Sequence, residues 1–191
     1  MTDVSVVPAS LERWSDVELL LGGDGDSGCW CQAWRGRDET ARRTGESRAE
    51  TMRRQLRDDP PAGFLAYIDD EVAGWAGVSI RTRTPRLLNS RTIPLLDDLP
   101  VWSIGCFRIR VGYRRRGVAT ALLNGVVQAA RAAGAPAVEA YPVDPAGRRV
   151  DVGFAFVGLA SMFDRAGFRR VLTTNAHSAG LPRLLVRLEL S

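Results

Sequence analysis

The chain has 191 residues, 26 basic against 22 acidic side chains, and a formal net charge of +4. With 45% hydrophobic and 25% charged residues it has the balance of an ordinary globule, and one domain over residues 1–191 is expected, large enough to bury a core without a disulfide or metal staple. There is no lysine and only one histidine, His177, which excludes Schiff-base lysines, a lysine-bearing phosphate loop and a helical HExxH zinc site.

Residues 3–7 are a short strand candidate. Ser10 is a plausible N-cap for a helix that aligns Leu11, Trp14, Val17 and Leu21. A Gly/Asp-rich loop over 22–28 leads into Cys29-Trp30-Cys31-Gln32-Ala33-Trp34. Ser47 and Glu50 have the spacing of a capping box, so a second helix runs to Asp58-Asp59-Pro60-Pro61. Residues 64–68 and 72–80 read as a hairpin around Asp69-Asp70-Glu71. A polar connection over 81–100 precedes a strand over 101–111. Strict alternation along that strand sets Ser103, Gly105, Phe107 and Ile109 against Trp102, Ile104, Cys106 and Arg108.

Gly112-Tyr113-Arg114-Arg115-Arg116-Gly117 is a basic turn. The longest helix follows, over 118–133, with Val118, Leu122, Val126 and Ala130 as its apolar stripe. A strand over 137–141, a loop over 142–153, a short helix ending at Gly167 and strands over 168–173 and 184–190 complete the chain. His177 falls in what reads as a surface turn over 173–180. The expected fold is α/β, a mixed sheet flanked by helices.

No apolar run is long enough to cross a bilayer, and Met1-Thr2-Asp3-Val4-Ser5 lacks the start of a signal peptide, so a cytoplasmic protein is expected. Cys29, Cys31 and Cys106 cannot form a closed disulfide set. The Cys-x-Cys spacing is tighter than zinc sites use, so free thiols and no metal are expected. The arginines are spread along the chain with few aromatics between them, which favours a solvated surface over a nucleic-acid interface.

The chemistry concentrates at residues 107–120, where a strand feeds a basic turn and the turn opens a helix. The first turn of a helix has unpaired N–H groups and the positive end of the macrodipole. Gly117 and Ala119 allow an anion close to those groups, and Arg114, Arg115 and Arg116 add charge and bidentate donors. A pyrophosphate site built on Gly117, Val118, Ala119 and Thr120 is predicted.

Arg114-Arg115-Arg116-Gly117-Val118-Ala119 resembles the R/Q-x-x-G-x-G/A signature of the GNAT superfamily of N-acetyltransferases. Phe107-x-Ile109-x-x-x-Tyr113 resembles that family's L-x-V-x-P-x-Y strand end, with Val111 in place of proline. Residues 161–168, Ser161-Met162-Phe163-Asp164-Arg165-Ala166-Gly167-Phe168, resemble its L-Y-x-x-x-G-F helix end. The Cys29–Cys31 segment and residues 139–144 are similar to one bacterial subgroup.

The resemblance implies a mostly antiparallel, splayed sheet and acetyl-CoA as acetyl donor. The pantetheine arm would pair with the strand near Phe107, Arg108 and Ile109, in a gap opposite residues 137–141. The acceptor would be the primary amine of a small molecule or peptide, with no nucleic acid or membrane partner and a homodimer left open. Glu139 is the first candidate base, with Asp144 and Glu71 behind it. Phe163 stands where the family often has a tyrosine acid, so Tyr141, Ser161 or Cys106 would substitute, or the thiolate would leave unassisted and be protonated by water. Trp30, Cys31 and Trp102, with Trp34 of the same aromatic segment, are expected to wall the acceptor pocket. Two other readings are a non-catalytic acyl-CoA sensor and, further back, a nucleic-acid-binding domain.

Overall fold

The computed structural model describes residues 3–23, 28–36, 38–147, 155–178 and 180–190. A seven-stranded sheet runs in the order β1-β2-β3-β4-β5-β7-β6. Its strands are β1 (Ser5–Pro8), β2 (Gly63–Ile68), β3 (Glu71–Ile80), β4 (Trp102–Ile109), β5 (Ala137–Ala140), β6 (Arg169–Ser178) and β7 (Leu181–Glu189). All neighbours are antiparallel except β4 and β5, which are parallel and joined by the long helix α6 (Val118–Ala132).

Local chemistry accounts for several boundaries. Asp69 and Asp70 take positive φ angles of 50° and 62°, the left-handed pair that a two-residue hairpin needs, and so β2 and β3 close tightly at Ile68↔Glu71. The Ser47 hydroxyl accepts from the Glu50 N–H while the Glu50 carboxylate accepts from the Ser47 N–H, which fixes the start of α4 (Arg48–Gln55) just after α3 (Glu39–Thr44). Ser10 makes no such bond. It precedes a 3-10 turn (Leu11–Arg13) that leads into α1 (Trp14–Leu21).

The 81–100 connection is not structureless, because Arg81–Arg83 forms a 3-10 turn and Pro85–Leu88 forms helix α5. The turn expected over 173–180 is also corrected, since β6 runs as far as Ser178 and pairs with β7 out to Ser178↔Leu181. Of the loop expected over 142–153, residues 148–153 lie outside those described.

Each face of the sheet is covered. On one side α6 buries Val118, Leu122, Leu123, Val126 and Ala130 against β2, β3, β4 and β5. Each large side chain so buried contributes about 1.5–3 kcal/mol. On the other side α1 and α4 pack Val17, Leu20, Leu21 and Met52 against Leu65 and Trp75.

The feature that positions the site is the parting of β4 from β5. The two strands pair only over Trp102↔Val138, Ser103↔Glu139 and Ile104↔Ala140. Beyond Ala140 the chain stays with β7, through a bridge from Val143 to Arg183, while β4 continues alone to Ile109 on that edge. The register of β4 on β3 jumps from Gly77↔Cys106 to Val78↔Ile104, so Gly105 is an extra residue in β4. The extra residue overturns the strict alternation expected for this strand. Trp102, Ile104 and Phe107 all lie in the core cluster beneath α6, while Cys106 packs at the edge of the opposite cluster.

Candidate active site

A cleft of about 1400 Å³ opens where β4 and β5 separate. Phe107, Arg108 and Ile109 line it from β4, and Arg114, Arg115, Gly117, Val118, Ala119 and Thr120 line it from the basic turn and the start of α6. Gly117 is the N-cap of α6, at φ 82° and ψ −2°, and no side chain caps the helix. A Cβ at Gly117 would meet nothing within 4 Å, so the glycine is required by backbone conformation rather than by crowding. The first intrahelical bond runs from the Ala121 N–H to the Gly117 carbonyl, which leaves the N–H groups of Val118, Ala119 and Thr120 directed at the cleft mouth. Arg114 and Arg115 are exposed beside them. Arg116 is not on the cleft wall, because its guanidinium lies over the Tyr113 ring, 5.4 Å from the centroid.

The acceptor side is built from elements that the sequence separates widely. Trp34, on α2 (Gln32–Arg35), lies on the backbone of β4 at Gly105, where any Cβ would overlap its indole. Its ring is 5.2 Å from that of Tyr141. Arg183 of β7 stacks on Trp34 at 5.8 Å and on Phe156 at 5.6 Å. Asn175, Ala176 and His177 of β6 line the same wall. His177 Nδ1 is 3.0 Å from the Asn175 carbonyl, which can only accept. In the neutral ring Nδ1 therefore has the hydrogen, and Nε2 has the free lone pair. Among the described residues no aspartate or glutamate lines the cleft, and no group of three or more His, Cys, Asp or Glu side chains could hold a metal.

Several residues singled out from sequence lie elsewhere. Glu139 is 0% exposed and does not line the cleft. Arg81 Nη1 donates to both its oxygens at 3.0 and 2.9 Å, Arg187 Nη1 donates at 2.9 Å, and the Tyr141 hydroxyl donates at 3.2 Å. Asp97 closes the network on Arg81 at 3.1 Å and on Arg187 at 2.5 Å. Four donated hydrogen bonds leave this carboxylate little lone-pair capacity, and it stands within the sheet, not before a substrate.

Tyr141 is 2% exposed, off the cleft wall, and its hydroxyl is committed to Glu139. Burial, with the Glu139 charge, pushes its proton affinity well above that of an ordinary phenol. Glu71 pairs with Arg110 at 3.5 Å, and Asp144 pairs with Arg170 at 2.5 Å; neither lines the cleft. Trp30 turns away at φ 46° and stacks flat on Trp14, with centroids 5.2 Å apart. Trp102 packs on Phe64 beneath α6, because the extra residue at Gly105 reverses its expected direction.

Cys31, Cys29 and Cys106 do line the cleft, as does Ser161. The Cys31 and Cys106 sulfurs are 3.3 Å apart. The hydrogen bond from Cys106 draws the Cys31 thiol below its ordinary value despite burial, with help from the nearby Arg35 charge. Cys106 is driven the other way, by the same bond and by burial. Phe163 is fully buried and sits edge-on to Phe107 and Phe168, at 6.2 and 5.2 Å.

Trp34 stands on the wall, as the Cys29–Trp34 segment led one to expect, while Arg183 is the wall residue that the sequence reading missed. The available signal was an arginine within the otherwise apolar run Leu181-Pro182-Arg183-Leu184-Leu185.

Residues 30–154, well over half the chain, match the model of the Acetyltransferase (GNAT) family. A search of curated protein sequences gives no match. Among solved structures, an acetyltransferase of the GNAT family from Streptococcus pneumoniae superimposes with a TM-score of 0.60 at 12% identity, over 99% of this chain and 100% of that one. A histone acetyltransferase HPA2 and related acetyltransferase from Corynebacterium glutamicum superimposes at 0.55 and 18% identity, over 98% and 96%. A chain of the NatC complex bound to Gag peptide and CoA superimposes at 0.59 and 12% identity, over 99% of each chain. At these identities the superpositions speak for the fold, and the match over residues 30–154 speaks for descent: the chain belongs to the GNAT family of acetyltransferases.

Proposed function

We propose that the protein is an N-acetyltransferase that moves an acetyl group from acetyl-CoA to a primary amine by direct attack on the thioester. The observation that carries this reading is the uncapped, glycine-started first turn of α6 facing a basic cleft beside the unpaired edge of β4. Three bare N–H groups and the flanking Arg114 and Arg115 suit a diphosphate. The lone edge of β4 from Phe107 to Ile109 suits an amide-bearing arm, which can pair with it as an added strand. A backbone N–H on that edge near Phe107 would polarise the thioester carbonyl as charge develops on its oxygen.

The attacking amine must lose a proton. Glu139 is out of reach behind the wall, so His177 Nε2, directly or through water, is the described acceptor on this cleft. Ser161 lines the cleft and can donate to the departing thiolate, a role that Phe163 cannot fill. The amine belongs to a small molecule or a peptide.

Two measurements test the reading. Calorimetric titration with CoA should show Gly117→Trp binding about ten-fold or more weakly, the equivalent of one lost charge-assisted hydrogen bond. Arg57→Ala, at an exposed position off the cleft, should bind as the parent does. Equal affinities of the two variants would remove the diphosphate from this corner. Release of CoA thiol in the presence of an amine panel distinguishes an enzyme from a module that only senses acyl-CoA. CoA binding without release to any amine would favour the sensor.

A further inference from the structure

Arg183 differs from the other deeply placed arginines of this fold. Arg81 and Arg187 are held by Glu139 and Asp97, and Arg35 donates to the Gln55 side chain and to the carbonyls of Ala62 and Val78. Arg183 is half-buried and, unlike them, has no carboxylate or other hydrogen-bond acceptor paired with its guanidinium among the described residues. Burial alone pulls its guanidinium below its ordinary value. Its central carbon lies over the rings of Trp34 and Phe156, contacts that hold the group through its charge and not through its N–H donors, the part that grips a planar anion. A cation set into a wall without a counter-charge is costly unless something brings the charge to it.

Its position says what that something is. Trp34 lies on Gly105, at the point where β4 and β5 part, while the start of α6 lies beyond the far end of β4. At the rise of an extended strand, the four steps from Gly105 to Ile109 span about 13 Å. Arg183 is therefore not one of the arginines grouped around the amides of α6. It sits on the acceptor side, along with Arg86 and the polar side chains of Ser90, Thr92 and Asn175, where no described carboxylate greets a cation.

Building on the acyl-transfer reading, we infer that the acceptor is an amine that also bears a carboxylate, held edge-on by the Arg183 guanidinium, and that polycationic amines are not substrates. The bidentate pair fixes the far end of the acceptor and turns its amine toward the thioester. The chemistry is shared by free amino acids and by short peptides with a free C-terminus, and the experiment separates these sources.

The test compares kcat/KM for glycine, phenylalanine, β-alanine and γ-aminobutyrate with that of their methyl esters. Dipeptides with free and amidated C-termini, and spermidine, complete the panel. An ester weakens the basicity of its α-amine, so intrinsic chemistry favours the ester and any preference for the acid belongs to the site. The expected result is a preference of about 10- to 100-fold for at least one free acid, the range of a hydrogen-bonded charge pair. Arg183→Gln should bring the acid-to-ester ratio to about one, and Arg183→Lys should recover part of it, since an ammonium keeps the charge but not the fork. For both variants, an unchanged rise in melting temperature with CoA shows that the protein is folded and the donor site intact.

Transfer to spermidine or to esters without preference for any acid would overturn the carboxylate assignment and leave acyl transfer standing. So would an acid preference that survives Arg183→Gln. Binding of CoA with transfer to no amine at all would overturn the acyl-transfer reading and this inference with it.

Discussion

At the scale of single residues, the proposed reading exchanges the roles that the sequence settings of Glu139 and His177 suggest. A glutamate in Ala137-Val138-Glu139-Ala140, beside a gap between strands, invites a catalytic assignment. In the fold it faces two arginines and a tyrosine hydroxyl inside the sheet. Substituting Glu139→Gln leaves Arg81 and Arg187 short of a buried counter-charge, a loss of about 3 kcal/mol. Thermal unfolding should therefore show a lower melting temperature, while kcat/KM of the folded enzyme at a cool temperature stays close to the parent's. His177→Gln is expected to do the opposite. The residue is exposed, so stability should hardly change, while kcat/KM falls by about a hundred-fold, within the range lost with a general base. Loss of rate in Glu139→Gln without loss of stability would return the base to β5.

The element that decides the site is β4. A chain of alternating residues has two possible faces, and the sequence offers no sign of where alternation stops. Gly105 stops it, because Trp34 lies on the strand there and the register slips by one residue. The hairpin of Asp69 and Asp70, the capping box of Ser47 and Glu50, and the stripe of α6 were all legible, since each is set by neighbours a few residues apart. The direction of Trp102, the reach of β6 and the burial of Arg81 were not. Trp102 depends on a contact from α2, and the polar run Thr173-Thr174-Asn175-Ala176-His177 is a strand only because β7 pairs with it. Arg81 is buried because Glu139, 58 residues away, needs a cation. Gly105→Ala tests the strand–indole contact. The added methyl would overlap Trp34 and force it aside, at a cost of about 1–3 kcal/mol. Because Arg183 leans on that indole, the KM for the acceptor should rise while CoA affinity stays within about two-fold, well under the ten-fold that 1.4 kcal/mol would give. Weaker CoA binding with an unchanged acceptor KM would show that the indole belongs to the donor side.

At the scale of the molecule, a net charge of +4 is modest, but its placement is not even. The cleft gathers arginines from β4, the basic turn, α5, α7 (Ala160–Arg165) and β7, while no described aspartate or glutamate lines it. A cleft lined by one sign of charge concentrates field lines and draws in a ligand of the opposite sign. Coenzyme A, with its phosphates, is such a ligand, so its association rate should depend on salt far more than its contacts alone would suggest. The Debye length falls from about 20 Å to about 7 Å between roughly 0.02 and 0.2 M salt, which screens the arginines from a ligand still outside the cleft. Stopped-flow measurement of the association rate should show a decrease of about ten-fold across that range, at the low end of electrostatic steering. Acetyl-pantetheine has the same thioester arm and no phosphate, so its association should be nearly flat in salt. Equal slopes for the two ligands would mean that the arginines serve the folded surface and not the approach of the donor. A steep slope for the first alone would tie the excess of basic residues to capture of an anion at the start of α6.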